Sequence, residues 1–102
     1  MTSSDAERRI RRQLLQMLDA ALRAVDPHRL VCAALQDAGQ GPVAVVAIGK
    51  AAAGMLGGAR AALGDRLVDA LAITAAAYAA ALPGGVAWVE GSHPLPDGKC
   101  LA

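Results

Sequence analysis

The sequence predicts an α/β fold, a Rossmann-like parallel sheet flanked by helices, and three observations lead there. Residues 43–48, Val-Ala-Val-Val-Ala-Ile, form an unbroken run of β-branched and small apolar side chains. That is the pattern of a strand buried on both faces, as in a parallel sheet. Gly49-Lys50 follows at once, and residues 51–63 then read as a helix closed by Gly64, so strand, glycine turn and helix stand in direct succession. Helical stretches precede this unit and strand-like runs follow it, an alternation that suits layered α/β packing.

The elements follow in order. From Asp5 to Val25 the apolar residues Ile10, Leu14, Met17, Leu18, Ala21, Leu22 and Val25 recur every three or four positions, the period of one helical face. Ser3 or Ser4 is placed to cap this helix, and Asp5 and Glu7 sit where the positive end of the helix dipole favours acids. Asp26-Pro27 reads as an N-cap followed by proline at the first helical position. It opens a second helix through Leu30, Val31, Ala34 and Leu35 that ends near Gly39. Gly39-Gln40-Gly41-Pro42 breaks the pattern ahead of the first strand.

Gly54, Gly57 and Gly58 are expected to let the helix after that strand approach the sheet closely. Residues 67–74 read as a second strand, and the alanine run behind them either prolongs it or turns helical. Pro83-Gly84-Gly85 is a turn, and residues 86–90 are a short third strand. Residues 91–98 hold no regular element, because Pro94 and Pro96 each remove a donor and fix φ. A right-handed crossover is the expected connection around the helix at Ala51.

At 102 residues the chain makes one domain at most. Alanine is the largest single contributor to its hydrophobic share of 55%, and with Tyr78 and Trp88 its only aromatics, the core has little mass per residue. Such a chain is marginal alone. It is expected to lean on further sequence, a missing second domain, or on a homo-oligomer. Lys99-Cys100-Leu101-Ala102 offers the fold no obvious stop, so residues 1–102 read as an amino-terminal α/β domain truncated at its carboxyl end.

A net charge of +1 gives no electrostatic footprint for nucleic acid. Arg8, Arg9, Arg11 and Arg12, interleaved with Asp5 and Glu7, read as a solvated helix face. The most apolar stretch, residues 70–82, is shorter than the roughly 18 residues of a membrane span, and no signal segment precedes it. Cys32 and Cys100 lack a metal-ligand spacing, and neither His28 nor His93 has a partner at helical zinc spacing, so no metal site is read here. Reduced thiols in a cytoplasmic protein fit this pattern best.

The turn at Gly49-Lys50 is the most informative position. In open parallel sheets ligands bind at the carboxyl ends of strands, where a starting helix presents free N–H groups to an anion. Lys50 would stand there as a point charge, and Gly49 would let backbone approach a phosphate or carboxylate. On the residues alone, Lys50 is either a ligand contact or a solvated surface lysine. The turn is not a Walker A loop, since Ala44 and Ala51 occupy positions where that loop needs glycine and a hydroxyl. Nor do Gly49, Gly54, Gly57 and Gly58 give a dinucleotide fingerprint. A second constellation, Ser92-His93-Pro94-Leu95-Pro96-Asp97, would share the Lys50 edge if the strands are parallel. Spacing favours local turn bonds for His93 and Asp97 over an acid/base pair.

The order of these segments resembles the amino-terminal domain of the bacterial glycerate 2-kinase family, some of whose members are named hydroxypyruvate reductase. The residues that carry the likeness are Leu14, Leu18 and Ala21-Leu22, then Val43 through Ala52 with its Gly-Lys-Ala-Ala turn, then Ala72-Ile73-Thr74, then Glu90 through Asp97. The resemblance implies a two-domain α/β enzyme that transfers the γ-phosphoryl of ATP to D-glycerate with Mg²⁺, giving 2-phosphoglycerate. It places the family's turn lysine on Lys50 as the catalytic residue. Gly49, Ser92 and His93 join it as substrate or nucleotide contacts lining the cleft. The remaining catalytic residues of the family lie beyond Ala102, so the 102-residue chain alone is expected to be inactive. Residues 75–82 are richer in alanine than the family pattern, and Asp97 through Cys100 also depart from it. Two other readings stand beside the kinase: an NAD(P)H-linked hydroxypyruvate reductase, against which the missing fingerprint argues, and a non-catalytic Rossmann-like module that binds an anion or a partner.

Overall fold

In the computed structural model, which describes residues 2–92 and 98, helix α1 (Ser3–Ala24) leads into α2 (Pro27–Leu35). Strand β1 (Val43–Ile48), helix α3 (Ala52–Leu63), strand β2 (Leu67–Thr74), the single-turn helix α4 (Ala76–Ala79) and strand β3 (Ala87–Glu90) follow. His93, Pro94, Asp97 and Cys100 lie outside the described residues. The three strands form one sheet in the order β1-β2-β3, and both pairings are parallel. The α/β expectation therefore holds: the strands all present their carboxyl ends at one edge.

Local chemistry accounts for the element ends. Thr2, not Ser3 or Ser4, caps α1 in a reciprocal box, with Asp5 N–H donating to Thr2 Oγ1 at 3.2 Å and Thr2 N–H donating to Asp5 Oδ2 at 3.4 Å. Asp26 caps α2 by accepting from Arg29 N–H at 3.0 Å, ahead of Pro27 at the first helical position. The alanine run after β2 turns helical, but only for one turn.

The strand register sorts the sheet into two faces. Val45, Ala47, Ala70 and Ala72 face α3 and pack with Ala52 and Leu56 into the core. Val46 and Ile48 point the other way and remain exposed, at 58% and 67%. The expectation of a strand buried on both faces is thus corrected: only α3 packs on the sheet among the described residues. Val68 is the extra residue of a bulge, since Val43 pairs with Leu67 and Ala44 with Asp69.

The glycines of α3 also need a correction. They serve a helix partner, not the sheet. A Cβ on Gly58 would lie 2.3 Å from the His28 carbonyl oxygen, and one on Gly54 would lie 2.7 Å from Pro27 Cγ. Small residues along this line let the α2 and α3 backbones meet, so the layers run sheet, α3, α2. His28, exposed as expected, brings its ring edge against Gly57, and Cys32, read from sequence as core, is only half-buried.

Helix α1 makes no substantial contact with any other element, and Ile10, Leu14, Met17, Leu18 and Leu22 are all more than half exposed. It projects as a rod of about 33 Å at 1.5 Å per residue. The radius of gyration, 18.5 Å, accordingly exceeds the roughly 13 Å of a compact 100-residue domain.

Candidate functional site

Parallel pairing brings three loops to one edge: Gly49-Lys50 after β1, Ala75 after β2, and Gly91-Ser92 after β3. Gly49 has φ of 112°, a backbone state that side chains rarely adopt, which lets the chain leave the strand sharply toward α3. Its N–H still donates to the Ile73 carbonyl at 2.8 Å, and Gly91 N–H donates to the Thr74 carbonyl at 2.9 Å. The ladder therefore runs one residue past β1 and β3, fixing both loops against central β2.

Between the loops lies a hollow of about 260 Å³, lined by Ile48, Gly49, Ile73, Thr74, Ala75, Gly91 and Ser92. Gly49 and Ser92, expected on one edge if the strands are parallel, thus meet in one cavity. Lys50 does not line it. Its amine stands 5.9 Å from the centroid of the Tyr78 ring, so Lys50 spans from the loop after β1 to the helix after β2 along the same rim. An ammonium at that distance is attracted to the ring face by about 0.5–1 kcal/mol at an exposed site. Tyr78, which the sequence marks only as one of two aromatics, is the platform for this lysine. A hollow of similar volume, lined by Arg60, Gly64 and Asp69 among others, lies at the amino-end edge, away from these loops.

Helix α3 begins without a side-chain cap, because Ala51 occupies the N-cap. Its first-turn N–H groups retain the partial positive charge of a helix start. Thr74 is a further polar group at this edge that sequence reasoning passed over. It is buried at 3% exposure, and Oγ1 has no hydrogen-bond partner among the described residues. The one signal available beforehand was its place, a hydroxyl ending an otherwise apolar strand. No group of three or more His, Cys, Asp or Glu side chains converges to hold a metal among the described residues, so the residues present do not by themselves fit a Mg²⁺ cage. No helix among them is long and apolar enough to cross a membrane.

A family model described as a domain of unknown function, DUF4147, matches residues 13–102. The chain belongs to that family. Among solved structures, the crystal structure of glycerate kinase from Thermotoga maritima matches the DUF4147 chain with a TM-score of 0.77 at 25% identity. The match covers 90% of this chain and 22% of that one. The DUF4147 chain therefore spans less than a quarter of the length of that relative. No curated protein matches the sequence. Family and structure together bear out the resemblance to the amino-terminal domain of the glycerate 2-kinase family.

Proposed function

We propose that this DUF4147 chain is the amino-terminal domain of a two-domain, ATP-dependent glycerate kinase that converts D-glycerate to 2-phosphoglycerate. The observation that carries the reading is the backbone likeness to a glycerate kinase along nearly the whole chain. The rim chemistry agrees with it. Phosphoryl transfer depends on positioned cations, because charge spreads over the oxygens of the transferred group. Lys50, held on the rim by the Tyr78 ring, supplies such a cation.

Gly49 and Ser92 line the hollow in which a small acid would sit, and His93, next in sequence after Ser92, is the further contact that the family resemblance implies. Mg²⁺ bound with the nucleotide would neutralise phosphate charge, and no described residue is assigned to hold it. The other substrate-binding groups would come from the second domain, so the site is complete only in the full protein.

Parallel assays of the full natural protein test this. With ATP, D-glycerate and Mg²⁺ it should form a phosphoglycerate, whereas with NADH and hydroxypyruvate it should show no cofactor oxidation. The reverse result would replace the kinase by a reductase. Silence in both assays, with glycerate failing to bind, would leave a non-catalytic module.

A further inference from the structure

Thr74 has no part in the reading so far. A buried hydroxyl without a partner destabilises a fold, and native structures rarely keep one for nothing. Thr74 Oγ1 is in that state while Thr74 lines the carboxyl-end hollow. Two backbone donors of the lining are already committed, Gly49 N–H to the Ile73 carbonyl and Gly91 N–H to the Thr74 carbonyl. No acidic side chain is among the lining residues, so none of them repels a carboxylate. No hydrogen bond holds the present χ1 rotamer of Thr74, so turning Oγ1 to another staggered well breaks none. The volume, about 260 Å³, falls below the roughly 300–1,000 Å³ of sites for drug-sized ligands and suits a three-carbon acid better than a nucleotide.

We propose that Thr74 is a substrate-binding residue whose hydroxyl donates a hydrogen bond to the carboxylate of a small 2-hydroxy acid seated in this hollow. The proposal rests on the glycerate kinase reading for its choice of acid. A bond from a neutral hydroxyl to a carboxylate is charge-assisted, and its loss weakens binding about 10- to 100-fold.

The test compares Thr74→Val, which keeps the shape and removes the hydroxyl, with Thr74→Ser, which keeps the hydroxyl, in the full natural protein. Three quantities are read: KM for glycerate and for ATP, glycerate affinity by calorimetry, and the melting temperature without ligand. Thr74→Val should raise the glycerate KM and Kd about 10- to 100-fold, leave the ATP KM within about two-fold, and melt no lower than wild type, because the hydroxyl it removes is unpaired. Thr74→Ser should retain most of the glycerate affinity. An unchanged glycerate Kd, a rise confined to the ATP KM, or a lower ligand-free melting temperature would overturn the proposal. If the wild type binds glycerate without phosphorylating it, the kinase reading fails, and the calorimetric arm still decides the role of Thr74.

Discussion

The Lys50 amine and the Tyr78 ring face one another across the loops after β1 and β2, at 5.9 Å from nitrogen to ring centroid. A long, exposed lysine has many rotamers, and the ring narrows them toward the rim. Replacing Tyr78 by Leu should therefore lower kcat/KM about two- to five-fold through a less ordered Lys50, while Tyr78→Phe, which keeps the ring face, should lower it less. Steady-state kinetics on the three proteins check the order, and equal losses for Leu and Phe would remove the ring from the account. Lys50 was legible in the sequence because a lysine directly after a buried strand and a glycine can stand only at the strand's carboxyl end. Tyr78 was not, since its position depends on one helical turn in an alanine run whose conformation the residues leave open. Thr74 was hidden for a different reason: a threonine at a strand end is ordinary, and only burial without a partner sets it apart.

Helix α3 shows what pattern can reveal about an element and what it cannot. Its position between two strands follows from the change of period at Gly49 and from Gly64 after its last residue. Which neighbour its glycines serve does not follow, because a small residue signals a close approach without saying to what. The α2 backbone provides the answer and a pair of contrasting predictions. Gly58→Ala would drive a Cβ to 2.3 Å from the His28 carbonyl oxygen, a backbone atom that cannot swing aside, and should destabilise by about 1–3 kcal/mol. Gly57→Ala would meet only the His28 ring edge at 3.0 Å, which can shift, so the better helix propensity of alanine should make it nearly neutral. Thermal melts of both variants test the difference, and equal effects would mean that α2 does not seat on this line. Leu56, 1% exposed and the largest fully buried side chain among the described residues, anchors the other face of α3. Leu56→Ala should cost about 2–5 kcal/mol, enough to unfold a chain with so small a core.

For the molecule as a whole, the order of strands and helices was readable because every change of period coincides with a Gly or Pro turn except that from β2 to α4, at Ala75. The extent of burial was not. Val46 and Ile48 look like core residues, yet their face of the sheet is bare among the described residues, as is the apolar stripe of α1. Composition foreshadowed this only as a shortage of aromatic mass. Exposed apolar surface on this scale marks an interaction face. The isolated 102-residue chain should therefore self-associate at micromolar concentration, and Leu14→Glu with Leu18→Glu should reduce that association in analytical ultracentrifugation. A monomeric parent chain would contradict this view of α1.

The proposed enzyme depends on one cation at the edge where three parallel strands end. Phosphorus NMR of the full natural protein with ATP, D-glycerate and Mg²⁺ addresses it most directly. Wild type should produce 2-phosphoglycerate, and Lys50→Ala, with an unchanged circular dichroism spectrum because the side chain is exposed, should turn over about 10²- to 10³-fold more slowly. Equal turnover by the variant, or no phosphoglycerate from wild type, would contradict the account.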